Sequence, residues 1–260
     1  MVVGLPGVLF SFLVFTVREP LRKSLALAAD GAANMNLKET FRQVSARWQS
    51  VAGIALGFVF QSICNYGFTQ WVPTYFLRVY GWSVGETGRA LGFVILPFGC
   101  LGLYLGGYLG ERWQRRGLVE GPLLVAMPSA IGILLFLVPA MLMPRAVWSL
   151  ALIGPGFFSL VLPMGASSAA LQVIFPNRVR AQVSALYLFI LNLGGLTMGA
   201  LLPGVFNDYL FKNPKMVGAS VALTMAMAGV LMLSIISATR KPYRAHYWKM
   251  HGTPDLNVRR

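Results

Sequence analysis

Seven apolar runs divide this chain, each near the length an α-helix needs to cross a bilayer, and the charged residues lie between the runs or at their ends. Crossing roughly 30 Å of hydrocarbon takes about 20 helical residues. Inside hydrocarbon every backbone N–H and C=O must be satisfied within the protein, so only helices and closed barrels span it. The runs are continuously apolar rather than alternating, which selects helices. The composition agrees, with 56% apolar and only 12% charged residues and a mean hydropathy of +0.64. A soluble domain carries about 25% charged residues. The expected fold class is therefore an all-α polytopic membrane protein.

The first run, residues 2–17, is followed rather than preceded by its positive charges, Arg18, Arg22 and Lys23. A secretory signal has the opposite order, so this run reads as a membrane helix. Residues 18–50 are the longest polar segment. Within it Asn36 and Glu39 match a capping box. Leu37, Phe41, Val44 and Trp48 then recur at helical spacing, while Lys38, Glu39, Arg42, Gln43 and Arg47 fall on the other side. The pattern predicts an amphipathic interfacial helix over 36–48. Residues 51–239 hold six further spans, at 51–77, 86–109, 122–142, 148–174, 181–206 and 216–239, and residues 240–260 form a basic tail. Trp71, Pro73, Tyr75 and Tyr80 read as an interfacial belt with a helix break.

Lysine and arginine are distributed unevenly among the loops. The linker, the segment 107–116, the turn at Arg178 and Arg180 and the tail hold most of the 22 basic residues, while only Arg78, Arg89, Arg145, Lys212 and Lys215 fall in the intervening loops. The two sets alternate along the chain. The positive-inside rule makes the rich set cytoplasmic, predicting an N-terminus outside and a C-terminus in the cytoplasm. The same alternation explains the net charge of +14 without nucleic acid as a partner. A seven-helix retinal protein is excluded, because the last run has no lysine for a Schiff base. Cys64 and Cys100 lie inside apolar runs, and His246 and His251 have no acidic or cysteine partners in pattern, so neither pair suggests a metal site.

The most informative stretch is Gly107-Tyr108-Leu109-Gly110-Glu111-Arg112-Trp113-Gln114-Arg115-Arg116, read as a charged hairpin between two spans. It resembles the cytoplasmic signature of the major facilitator superfamily, Gly-x-x-x-Asp-Arg-x-Gly-Arg-Arg. Gly107 stands at the glycine, Glu111 at the aspartate, and Arg112, Arg115 and Arg116 at the basic positions; Gln114 departs at the second glycine. Gly4-Leu5-Pro6-Gly7 through Arg18-Glu19-Pro20 resembles the end of family helix six. Residues 70–78 with Gly81-Trp82-Ser83 resemble the outer end of helix seven, and residues 176–182 the loop before helix eleven. The resemblance runs over family helices six to twelve and is strongest to spinster-like members. It implies a major facilitator fold, made of the C-terminal six-helix bundle plus the preceding helix, with helices one to five outside this chain and supplied by an N-terminal bundle as partner. It also implies that Glu111 latches the cytoplasmic gate and that proton coupling resides in the N-terminal bundle. The sequence has no nucleophile–base pair, phosphate loop or metal cluster in pattern, so neither enzyme activity nor a cofactor is expected.

Polar residues inside the spans mark the expected substrate path. Gln61 and Asn65 share one helix face next to Tyr66, and Ser167, Tyr187 and Asn192 are polar positions in later spans. Buried amides in a span face protein or a water-filled cavity, because lipid cannot satisfy them. All eight acidic residues fall at run ends, in loops or in the tail, so the chain offers no mid-membrane carboxylate for a proton relay. Neutral polar groups among Phe and Met suit an amphiphile, and the resemblance implies a lipid-like substrate such as a lysolipid. The alternatives are an organic-anion (sugar-acid) symporter of the same superfamily and a non-transporting membrane scaffold. Gly99, Gly102 and Gly106, with Gly195 and Gly199, form bare helix faces that either meet the N-terminal bundle or pack within this one.

Overall fold

The computed structural model describes residues 37–251, so the expected helix over 2–17 and most of the linker lie outside the described residues. Helix α1 (Leu37–Ala46) is followed after Arg47 by α2 (Trp48–Tyr80). The remaining spans are α3 (Val84–Arg115), α4 (Gly121–Ala140), α5 (Ala146–Leu171), α6 (Val179–Phe211) and α7 (Val217–His251). Helices α2 to α7 are each long and apolar enough to cross a membrane. The protein is an all-α integral membrane protein, and its described helices pack as one unit from Lys38 onward.

Local chemistry sets the boundaries. Gly81 closes α2 in the left-handed region (φ 70°), its N–H donating to the Phe76 carbonyl. This conformation strains any residue with a Cβ. Ser83 then starts α3 with a capping box: its Oγ accepts from the Glu86 N–H, and the Glu86 carboxylate accepts from the Ser83 N–H at 2.9 Å. In α4 the five residues Ile133–Leu137 widen into a π-turn just before Pro139. Proline has no N–H to continue the ladder, and π-turns are one way a helix absorbs that loss. Pro163 interrupts α5 between Val161 and Met164.

The core lies where α2, α4, α5 and α7 meet, around Phe68, Val72, Phe76, Ile133, Leu137, Ile153, Leu160, Val221 and Met225. Small residues bring the backbones together. A Cβ on Gly53 would fall 2.0 Å from Thr239 Oγ1, and one on Gly57 would fall 2.5 Å from Ile236, so α2 rides directly on α7.

Three expectations change. Pro73 lies within an unbroken α2. Tyr75 is a core residue rather than part of a belt: it is almost fully buried and its hydroxyl meets that of Tyr80 at 2.6 Å. The final helix does not stop at residue 239, because Tyr243 is fully buried and donates to the Ala170 carbonyl at 3.0 Å, holding a helical continuation to His251. In helix α1 Thr40 is buried and donates to Gln182, and Phe41 is exposed.

Candidate functional site

Burial along the spans singles out two helices. The most apolar windows of α3 and α6 are only 17% and 22% buried, whereas those of the other four spans are 44–50% buried. Each of the two therefore uses one narrow line of contact and leaves the rest of its surface uncovered. On α3 the line runs through Leu91, Gly102, Gly106 and Gly110; on α6 it runs through Val183, Tyr187, Leu191, Gly195 and Gly199. The glycines belong to these buried lines. Built Cβ atoms on Gly99, Gly102 and Gly106 would strike Phe157, the Phe158 carbonyl and the Leu162 carbonyl of α5, and those on Gly195 and Gly199 would strike Ser62 and the Ile63 carbonyl of α2. Of the two expectations for these faces, packing within this bundle is the one realised. The uncovered surfaces are instead apolar side chains, Phe93, Leu96 and Tyr104 on α3 and Phe189, Leu193 and Leu196 on α6.

A polar pair joins α2 to the uncovered surface of α6. The Tyr66 hydroxyl donates to Asn192 Oδ1 at 2.6 Å, and the Asn192 amide donates to the Leu188 carbonyl at 2.8 Å. Glycine makes the pairing possible, since Gly195 and Gly199 admit Tyr66 and the α2 backbone against α6. Asn65 is half-buried next to Tyr66, and Thr69 and Gln70 are exposed one turn further on.

The other three expected path residues lie in the interior. Gln61 is buried and donates to the Leu160 carbonyl at 2.9 Å, ahead of the α5 break at Pro163. A helix interruption leaves carbonyls that need another donor, so Gln61 serves as an interhelical tie. Ser167 is buried and bonds the Met164 carbonyl at 3.0 Å. Tyr187 packs edge-on against Phe58, its hydroxyl buried without a hydrogen-bond partner among the described residues.

The charged stretch 107–116 is not a hairpin. It is helical through Arg115, forming the last turns of α3, and the turn proper begins at Arg116. Glu111 pairs with Arg115 at 2.6 Å, four residues on, and both side chains are largely exposed. Arg112 lies over the Tyr108 ring, 5.9 Å from its centroid. Among the described residues, the ion pair that ties the α3–α4 turn to another helix is made by Glu120. Its side chain is 1% exposed, and it accepts from Arg240 (3.4 Å) and from Arg244 through Nε (3.2 Å) and Nη2 of the latter. Burial alone would raise the Glu120 pKa, but the arginine hydrogen bonds and charge outweigh it and hold the carboxyl below its ordinary value. The same end of the bundle is tied further by Ser50 to His246 at 2.7 Å and by Arg47 over the Phe175 ring.

Comparison with known proteins agrees with this architecture. Residues 1–199 match the family model of the Major Facilitator Superfamily. The chain is 29% identical over 236 residues to an MFS-type efflux pump of Mycolicibacterium smegmatis, a match covering 86% of this chain and 50% of that protein. It superposes on the inward-facing, unoccupied crystal structure of a bacterial homologue of the human lysosomal transporter Spinster with a TM-score of 0.62 at 20% identity, covering 98% of this chain and 60% of that one. The inward-facing, occupied form gives a TM-score of 0.53 at 19% identity, covering 98% and 58%. The chain thus spans about half the length of the curated relative it matches. With six packed spans, two open helix faces and a family match over most of its length, the chain belongs to the major facilitator superfamily.

Proposed function

We propose that this chain forms the C-terminal part of a secondary transporter that moves a lipid-like or other amphiphilic organic solute by alternating access. Such transporters rock two bundles about a site between them. The observation that carries the reading is the Tyr66–Asn192 pair, set among exposed apolar side chains of α6. Within a membrane, polar groups on a bundle surface are expensive unless they meet water, substrate or another protein surface. Asn65, Tyr66 and Asn192 would be this bundle's share of the substrate path, and the open faces of α3 and α6 would meet the N-terminal bundle. The mycobacterial relative is named an efflux pump, which supports outward movement of the solute.

In this reading the basic end, with Glu111 and Glu120, faces the cytoplasm of a cell whose plasma membrane holds the protein. Glu86, Glu111, Glu120 and Asp208 lie at the ends of the spans, and in this reading proton coupling belongs to the N-terminal bundle.

The test is solute uptake by the chain joined to its N-terminal bundle. Tyr66→Phe removes one donor and should weaken the apparent solute affinity about fivefold, the equivalent of about 1 kcal/mol. Asn192→Ala should do at least as much, and neither should lower thermal stability appreciably, because the pair is exposed. Unchanged KM in both variants would remove the pair from the substrate path.

A further inference from the structure

One cavity among the described residues has no part in the transport reading. It is about 540 Å³, lies along α7 at the basic end of the bundle, and is lined by Glu120, Ser237, Arg240, Lys241, Arg244 and Trp248 among others. The α7 residues recur every three or four positions, so they form one face of the helix.

The charges do not cancel. Glu120 is the one carboxylate in the lining, against three cations. Arg244 takes it in a two-point grip, and Arg240 reaches it with one nitrogen at 3.4 Å. The Arg240 Nε remains buried without a partner, and Lys241 has no acidic partner among the described residues. Two positive charges are left over beside a half-buried Trp248. The Glu120 contacts hold the arginine stems in place, so an incoming anion would meet an organised set of donors rather than flexible side chains.

Position selects the kind of anion. Helix α7 has 35 residues, about 52 Å at ~1.5 Å per residue. About 20 of them cover the hydrocarbon, so the turns from Ser237 onward emerge at the level of the lipid headgroups. Basic residues with tryptophan at that depth are typical of membrane interfaces, and basic pockets between transmembrane elements receive anionic headgroups. We propose that this cavity binds the phosphate-bearing head of an anionic phospholipid, held by Arg240 and Lys241 against Trp248. The site does not depend on the transport reading.

The experiment uses the full chain in detergent, with brominated phosphatidylglycerol or brominated phosphatidylcholine as quencher of tryptophan fluorescence. Phosphatidylglycerol should quench at lower concentration, and Trp248→Phe should remove the difference between the two lipids. Lys241→Gln should weaken phosphatidylglycerol binding about fivefold. Lys249→Gln, an equal loss of charge on the same helix end outside the cavity lining, should have little effect. Melting of each variant without lipid should match the parent, since Lys241 and Lys249 are exposed. Equal quenching by the two lipids, or equal weakening by Lys241→Gln and Lys249→Gln, would overturn the proposal. Displacement of phosphatidylglycerol by millimolar inorganic phosphate would also overturn it, by showing a site for a soluble anion.

Discussion

Gly106→Ala is expected to disrupt the bundle, whereas the same change one residue later, at Gly107, should leave the packing of this bundle intact. A Cβ on Gly106 would lie 1.6 Å from the Leu162 carbonyl oxygen and 2.6 Å from its carbon. The obstacle is backbone, not a side chain that can turn away, and it sits at the Pro163 break of α5. Overpacking a tight contact costs about 1–3 kcal/mol and occasionally more; a backbone obstacle puts this case at the upper end. For a domain of this size that corresponds to a melting temperature lower by roughly 6–12 °C, with much of the protein failing to assemble. Gly107 has open space within 4 Å of its built Cβ, and an alanine in an exposed helix position should be neutral or favourable by up to about 1 kcal/mol. Yield of monodisperse protein in detergent and its melting curve compare the two. Similar behaviour of both variants would mean that α3 and α5 are not in close backbone contact.

The second large effect is expected at Glu120. Glu120→Gln keeps the shape but leaves Arg240 and Arg244 facing each other without the carboxylate that joins them to the α3–α4 turn. Removing one partner of a fully buried pair costs about 3–5 kcal/mol. Here the arginines are 39% and 51% exposed and can partly turn to water, so about 2 kcal/mol is expected. Glu111→Gln should cost no more than about 0.5 kcal/mol, because an exposed i,i+4 pair contributes little. Thermal melts of the two variants should therefore separate clearly. The pH dependence has a defined sign. The folded-state pKa of Glu120 is lowered from its ordinary value of 4.5, so its contribution is fully present above that value and is lost as pH falls through the depressed pKa. Acidification below the carboxylate range should erase the difference between parent and Glu120→Gln.

The spans and their order were legible in the sequence because hydrocarbon leaves few alternatives to a long apolar helix. Helix ends were less legible. Charge ends the expected span at Leu109, but the helix runs on to Arg115 because residues beyond the hydrocarbon still gain from backbone hydrogen bonds and from the Glu111–Arg115 pair. The tail continues its helix in the same way. Arg240, Tyr243, Arg244 and Tyr247 recur at helical spacing, which would have suggested a continuing helix, and Glu120 lies just after the motif that drew attention. Their meeting depends on the folding of α4 and α7 side by side, which no local pattern reveals. Polar residues in the spans could be found but not sorted. Gln61 and Asn65 are one turn apart, yet the first is consumed by the Leu160 carbonyl and the second stands half-buried at the open side. That division follows from the Pro163 break in another helix.

The most direct test of the central claim is solute flux into proteoliposomes by the chain joined to its N-terminal bundle, comparing lysolipids with organic acids in the presence and absence of a pH gradient. The account predicts saturable lysolipid flux that responds to the gradient and weakens in Tyr66→Phe and Asn192→Ala. Folded, joined protein that moves neither solute class above the level of empty liposomes would contradict it.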